Sequence, residues 1–279
     1  MIRRTAFLFL ISVSFLVTAF PQGSSTHPRP VVVQGAMRSE TEKLASRLEN
    51  VSIEKVGGWT FWSGSVDGYP VIVSRTLKGV ENAAAATAIV IQRYNPIAII
   101  NQGTAGGYDP GLHLYDIVLG TTSVSLGAFK TSYRAAGSGS NTLDWVPLNM
   151  LFEGSAANDS TARKVLGFPG DSVLLAAARS VSRLYNRGRV VPGIIGSADM
   201  WNDEIDRIEL FRTKYGASVE DMETASAAQI ASFFRVAFLG IRVVSDNTTN
   251  GDAFEPKTGE ACEDYVYLVV KAYVGTLAH

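Results

Sequence analysis

Residues 236–246 read "VAFLGIRVVSD", and the chain continues into "NTTNGD". The near-continuous apolar run predicts a buried strand, of the kind found in sheets covered on both faces. Such a strand tolerates Arg242, Ser245 and Asp246 poorly, because polar groups buried without partners cost roughly 1–3 kcal/mol each, and a charge costs more. Their position at the end of the run predicts a use there. In covered α/β sheets, ligands sit beyond the carboxyl ends of the strands.

Working outward, the other apolar runs end in a similar way. "VVVQGAM" reads as a short strand breaking at Gly35, followed by "RSETEKLASRL" as an amphipathic helix. "WTFWSGSVDGYPVIVSRT" alternates around Asp67-Gly68, the pattern of a hairpin. "NAAAATAIVIQRY" predicts a helix, "PIAIINQGTAGG" a strand entering a glycine loop, and "YDIVLGTTSVSL" a further strand. "SVLLAAARSVSRLY" (helix), "RVVPGIIGSAD" (strand) and "DEIDRIELFRTKYG" (helix) follow. "ASVEDMETASAAQIASFF" is a short strand running into a helix, and "CEDYVYLVVKAYVGTLA" closes the chain as a helix. Alternating strands and helices predict a single-domain, three-layer α/β/α architecture with a twisted, mixed central sheet. Residues 128–171 are rich in Gly, Ser and Asn and exceed an ordinary connection, which marks them as a candidate cover for a binding site.

The domain so predicted spans 31–279, behind a leader at 1–19 and a Pro/Ser-rich spacer at 20–30. The leader, "MIRRTAFLFLISVSFLVTA", has a basic start at Arg3 and Arg4, an apolar core from Ala6 to Val17, and a small-residue cleavage pattern at Val17-Thr18-Ala19. It reads as a secretory signal peptide, which makes the mature protein exported, whether secreted or periplasmic. The alternative, an uncleaved anchor, is disfavoured because the apolar run is shorter than the ~20 residues of a spanning helix.

The remaining composition mainly excludes. With 25 basic against 26 acidic residues, nothing points to nucleic acid or an anionic membrane as partner. Cys262 is the only cysteine, so no intrachain disulfide forms. With that cysteine and only His27, His113 and His279, the sequence offers no zinc constellation, and no metal or cofactor is expected. No Gly-x-Ser-x-Gly elbow follows a predicted strand. Three Asn-x-Ser/Thr triplets, at Asn50, Asn158 and Asn247, read as chance matches.

Carboxylate chemistry is what remains. Glu40 follows the first strand, Thr104 and Gly106 sit in the glycine turn, Met222 and Glu223 lie at a strand-to-helix junction, and Asp246 ends the strand quoted above. The turn matches neither a dinucleotide-binding nor a phosphate-loop spacing. Read alone, each feature also has a structural reading: a tight turn for the glycines, and helix capping for the acids. Arg242, Val244 and Asp246 share one strand face by even spacing, where a guanidinium can hold a carboxylate or a bound water.

Taken together, these motifs resemble the purine nucleoside phosphorylase and uridine phosphorylase superfamily, and within it the 5′-methylthioadenosine/S-adenosylhomocysteine nucleosidases. "VVVQGAMRSE" resembles the family's opening strand and turn, "NQGTAGGYDPGLHLYDIVLG" its glycine segment, "VEDMETASAAQIA" its Met-Glu motif and "FLGIRVVSDN" its Arg-x-x-Ser-Asp motif, in family order. The resemblance implies a nucleoside phosphorylase-like fold and a small-molecule purine nucleoside as substrate. It implies that Glu40 activates the attacking water and that Arg242 positions Glu40 or that water. It further implies that Glu223 binds ribose hydroxyls, that Met222 packs on the sugar, that Thr104 and Gly106 line the ribose side, and that Asp246, helped by Ser245, protonates the purine at N7. By the same resemblance Met200 and Trp201 fall in the base-binding segment "GSADMWND", which implies that Trp201 stacks on the base.

The chain departs from family patterns at several points. Phosphorylases of the family usually carry Gly-Asp-Pro and an arginine at the first turn. Here Gly35-Ala36-Met37 with Glu40 stands there, which favours water over phosphate, although Arg38 supplies a nearby cation. Asp221 replaces the usual glutamate, and the 128–171 segment falls where relatives build the 5′ pocket and a dimer contact. The expected function is hydrolysis of adenine nucleosides by an exported homodimer. A phosphate-dependent phosphorylase and a catalytically silent storage protein of the same fold remain the alternatives.

Overall fold

The computed structural model describes residues 28–153 and 160–277. The leader expected at 1–19, most of the spacer expected at 20–30, and Asn158 lie outside the described residues. Among the described residues no helix is long and apolar enough to cross a membrane.

Ten strands form one mixed sheet: β1 (Val31–Gly35), β2 (Glu49–Val56), β3 (Trp59–Val66), β4 (Tyr69–Arg75), β5 (Ala98–Gly107), β6 (Ile117–Ser125), β7 (Gly167–Pro169), β8 (Val190–Ser197), β9 (Ala217–Asp221) and β10 (Ala237–Asp246). The path runs β7-β6-β8-β9-β5-β1-β4-β3-β2, and β10 pairs with both β5 and β6. β10 is parallel to β5 and antiparallel to β6. The strands β6, β8, β9, β5 and β10 therefore close into a ring, from which β1, β4, β3 and β2 extend as an open wing.

Helices cover both faces, as the alternating pattern predicts. They are α1 (Val80–Tyr94), α2 (Ser172–Ser180), α3 (Ile205–Tyr215), α4 (Thr224–Phe233) and α5 (Thr258–Leu277). Successive strand residues point to opposite faces, so Val31 and Val33 join α2 and α5 in one apolar cluster while Val32 joins α1 and α4 in another. α5 buries Ala261, Cys262, Tyr265, Val266, Val269, Val270, Tyr273 and Val274, spaced as one stripe of a helix. A third cluster packs α3 against the ring, and a fourth, including Ala105, Val118, Ile195, Val219 and Val244, fills its interior.

The structure differs from the sequence reading in four places. The helix expected over 38–48 is broken into a 3-10 turn (Arg38–Glu40) and one α turn (Glu42–Ala45). The Glu40 side chain folds back onto the preceding backbone there, and the chain enters β2, a strand whose mostly exposed residues lack an apolar signal. The glycine loop expected after "AIINQ" is strand throughout, because β5 keeps pairing with β10 up to Gly106. The ring closure was not expected, since an antiparallel contact of only Val219 and Glu220 with Gly107 and Gly106 makes it. Finally, the 128–171 segment forms two small ladders, Phe129–Lys130 with Val146–Pro147 and Met150–Glu153 with Arg163–Val165, before β7 joins the sheet edge.

One buried charge ties the ring together. The Arg242 guanidinium, 1 % exposed, donates to the Asn101 carbonyl at 3.0 Å and the Asn101 Oδ1 at 2.5 Å, and pairs with Asp221 at 2.5 Å. Strands β10, β5 and β9 thus share one cation. Removing one partner of a buried pair leaves the other charge uncompensated, at a cost of about 3–5 kcal/mol. Arg242→Met is expected to lower Tm by on the order of 10 °C, read by calorimetry, whereas a change within about 2 °C would show that the pair does not hold the ring.

Candidate active site

The carboxyl ends of β1, β5, β9 and β10 meet at a cavity of about 800 Å³, including its open mouth. Glu40, Thr104, Gly106, Met200, Trp201, Met222, Glu223, Ser245 and Asp246 all line it. Arg242 does not. It lies behind the wall, and its polar contacts are with Asn101, Ile241, Asp221 and, at 3.9 Å, Glu223. In place of the expected contact of Arg242 with Glu40, the side chain turns across the ring toward β9 and pairs with Asp221 and, more distantly, Glu223.

The turn after β1 presents Glu40 through four donors. Its Oε2 accepts the Ala36 and Met37 N–H groups at 2.9 and 3.0 Å, and its Oε1 accepts the Thr104 N–H and hydroxyl at 2.9 and 3.0 Å. This closeness requires glycine at 103, where a Cβ would stand 2.7 Å from Glu40 Oε1. The carboxylate is held in one orientation at the cavity wall, and among the described residues the Thr104 hydroxyl is its only side-chain donor.

Glu223 is fixed from the opposite side. Its Oε1 accepts the Gly79 N–H at 2.9 Å, from the turn that opens α1. Burial pushes the Glu223 carboxyl well above the usual carboxylate range, the adjacent Asp221 adds to this, and Arg242 opposes it. Asp221 itself is saturated: besides Arg242 it accepts the Ser197 and Thr224 hydroxyls and the Thr224 N–H. Its carboxylate so starts α4 and holds Met222 and Glu223 at the cavity.

Asp246 reaches the cavity through a bulge. The register between β10 and β5 shifts between Val244 and Asp246, which ends the even alternation expected from Arg242 onward. Ser245 donates to Asp246 Oδ1 at 2.7 Å, and its hydroxyl lies 3.2 Å from the Ala105 carbonyl. Burial raises the Asp246 carboxyl, the Ser245 hydrogen bond opposes this, and the Asp203 carboxylate adds to it. A carboxyl raised in this way retains its proton further toward neutral pH, which suits a proton donor. Gly106 faces it, where a Cβ would stand 3.3 Å from Asp246 Oδ2.

Trp201, 59 % exposed, meets Phe254 edge-on with ring centroids 5.6 Å apart, which forms an aromatic rim at the mouth. Met37, Lys78, Tyr108, Asn202, Glu220, Asp221 and Phe254 also line the cavity. Of these, Asp221 and Glu220 stand inside the "VEDMET" motif, and only the direction of their side chains was unreadable. Lys78 and Phe254 come from polar turns with no periodic signal. No described residue of 128–171 lines the cavity; there Phe129 and Trp145 pack on Arg207 of α3 instead. Among the described residues no group of His, Cys, Asp and Glu is arranged to hold a metal ion.

Comparisons with known proteins agree with this geometry. The family model described as the phosphorylase superfamily matches residues 30–274. The 5′-methylthioadenosine/S-adenosylhomocysteine nucleosidase of Bacillus cytotoxicus is 30 % identical over 221 residues, 77 % of this chain and 85 % of that one. Its counterpart in Bacillus thuringiensis is 29 % identical over the same shares. Among solved structures, the Neisseria meningitidis nucleosidase in complex with methylthio-immucillin-A superposes with a TM-score of 0.70 at 26 % identity, covering 88 % of this chain and 99 % of that one. Futalosine hydrolase of Helicobacter pylori shares the fold at 20 % identity, with a TM-score of 0.69 over 87 % of this chain and 97 % of that one. With its motifs at the ends of four strands around one cavity, the chain belongs to the phosphorylase superfamily, in the company of the methylthioadenosine/S-adenosylhomocysteine nucleosidases.

Proposed function

We propose that this protein is a purine nucleosidase that hydrolyses the N-glycosidic bond of adenine nucleosides to free base and free sugar. The observation that carries the reading is the opposition of two carboxyl groups across one cavity: Glu40, locked in place by four donors, and Asp246, burial-raised and bonded by Ser245. Asp246 delivers a proton to N7 as the C1′–N9 bond breaks and its electron pair moves into the departing purine. The sugar becomes oxocarbenium-like, and the nearby anions stabilise it. Water adds to C1′, and Glu40 takes its proton, with the water exchanging for the Thr104 hydroxyl. Glu223 accepts the ribose hydroxyls, Met222 packs against the ring, and Trp201 with Phe254 covers the aromatic end.

Hydrolysis is favoured over phosphorolysis because the nucleophile side presents a carboxylate, which repels phosphate. Arg38 does not line the cavity; it points outward and pairs with Glu42 at 3.7 Å. A storage role is disfavoured because Glu40, Glu223 and Asp246 are all present and converge. The leader at 1–19 supports export, and with it a role in salvaging external nucleosides. A homodimer is the assembly inferred from the family resemblance.

The deciding assay measures base release from adenosine, inosine, methylthioadenosine and S-adenosylhomocysteine by the mature protein, with and without phosphate. Asp246→Asn is expected to lower kcat by about 10²–10⁴-fold with substrate binding nearly unchanged, since the amide keeps the shape and lacks the proton; unchanged turnover would remove Asp246 from the mechanism. Glu40→Gln is expected to lose about 10²-fold or more, and full activity in that variant would reopen the phosphorylase reading. Activity of the intact protein is expected to fall as pH rises and Asp246 loses its proton. Because the Asp203 carboxylate helps to keep that proton on, Asp203→Asn is expected to move the alkaline limb of kcat to lower pH, and a shift to higher pH would contradict this assignment.

A further inference from the structure

The stripe by which α5 packs on the sheet is apolar except for one acid. Glu263 is fully buried beside Ala261, Cys262, Tyr265 and Val266, where a carboxyl group is costly unless it has a use. Its neighbour Asp264 pairs with Lys43 at 2.7 Å and with Arg47 at 2.6 Å. Both cations are thereby engaged, and among the described residues Glu263 makes no ion pair of its own.

What Glu263 binds is the chain just after Glu40. Its Oε2 accepts the Leu44 N–H at 2.6 Å, while its Oε1 is buried without a hydrogen-bond partner. Leu44 belongs to the single α turn Glu42–Ala45, which is too short to hold its own shape. One turn earlier on the same face of α5, Gly259 lets the helix approach Glu40 itself. A Cβ there would stand 2.7 Å from the Ser39 carbonyl oxygen and 3.5 Å from Glu40 Cγ. Gly259 and Glu263 therefore grip the two ends of the 39–44 segment from behind the cavity wall. Burial pushes the Glu263 carboxyl up to about 7; the Leu44 N–H opposes the shift, the Glu40 carboxylate adds to it, and Lys43 and Arg47 oppose it. The two acids, one in the wall and one behind it, are close enough to sense each other's charge.

We propose that Glu263 is a positioning residue for the hydrolysis: by clamping the chain after Glu40 to α5, it holds the Glu40 carboxylate where it takes the proton of the attacking water. The inference rests on the role of Glu40 in the nucleosidase reading and deepens it. The front of Glu40 is oriented by the donors of Ala36, Met37 and Thr104, whereas its backbone is set from behind, by the Gln102 side chain on its carbonyl and by Glu263 on Leu44. Loss of the clamp acts on kcat, because a misplacement of about 1 Å costs on the order of 10²-fold while the substrate's own contacts stay in place.

The test compares Glu263→Met, which fills the space and removes the acceptor, with Glu263→Gln, which keeps an acceptor for the Leu44 N–H. Both are assayed for base release from methylthioadenosine well below their melting temperatures. Glu263→Met is expected to lower kcat about 10–100-fold with KM within about 3-fold, and Glu263→Gln to restore kcat to within about 3-fold of the intact protein. In the Glu40→Gln background, Glu263→Met is expected to cost less than about 3-fold more, since the group through which it acts is already gone. Unchanged kcat in Glu263→Met, or equal losses in both backgrounds, would overturn the proposal and leave Glu263 a purely structural contact. Full activity in Glu40→Gln would instead overturn the role of Glu40 on which the inference rests. Silence of the intact protein toward every nucleoside would overturn the nucleosidase reading, and hydrogen exchange then reads the clamp by itself. The amides of Ala36, Met37 and Thr104, which hold the Glu40 carboxylate, are expected to exchange about 10-fold faster in Glu263→Met while those of β3 stay unchanged; no rise, or a rise shared by β3, would overturn the clamp.

Discussion

The buried pair of Arg242 and Asp221 is the constraint on which the rest depends. A guanidinium 1 % exposed to solvent is costly to bury, and here its two terminal nitrogens reach β5, β9 and the carbonyl of its own neighbour Ile241, while Nε has no partner among the described residues. The cost is offset by geometry: the same cation that joins three strands of the ring stands behind Glu223 at 3.9 Å. Asp221 in turn takes the hydroxyls of Ser197 and Thr224, so the start of α4 and the end of β8 are set by the carboxylate that Arg242 neutralises. The apolar strand can end in charge because the charge is spent on holding the site.

Close packing of backbone against carboxyl groups is the second device. Gly103 lets Glu40 lie against β5, and Gly106 leaves room for Asp246. A Cβ at Gly103 would push into Glu40, and one at Gly106 would crowd Asp246. What sequence reading takes for a loop is thus a strand kept bare, so that two acids can approach it. The cavity is thus lined by Glu40, Glu223 and Asp246 in its interior, with Trp201 and Phe254 forming an aromatic pair among its lining residues.

Much of this was legible in the chain because covered α/β sheets put their polar residues at strand ends, and Glu40, Glu223 and Asp246 stand at or just beyond such ends, with Thr104 among the last residues of β5. The three layers followed from the alternation of buried strands with helices. Side-chain direction was less legible. Arg242 reads as a partner for the water-activating acid, but across the closed ring it pairs with Asp221 instead. Ring closure left no sequence signal, since two residues of β9 make it. Tyr108 and Glu220 were invisible as site residues for the same reason: their contact exists only once the ring is closed. The 38–48 helix failed because the Glu40 carboxylate bonds to the preceding turn, a side-chain contact that periodicity does not encode.

The central claim is that water, directed by Glu40, attacks a sugar whose base leaves with the proton of Asp246. The direct test incubates the protein with methylthioadenosine in phosphate-free buffer and quantifies adenine and reducing sugar together. Hydrolysis yields equimolar adenine and free methylthioribose, at a rate that added phosphate does not raise. Adenine release only on addition of phosphate, with a sugar 1-phosphate as the product, would contradict it.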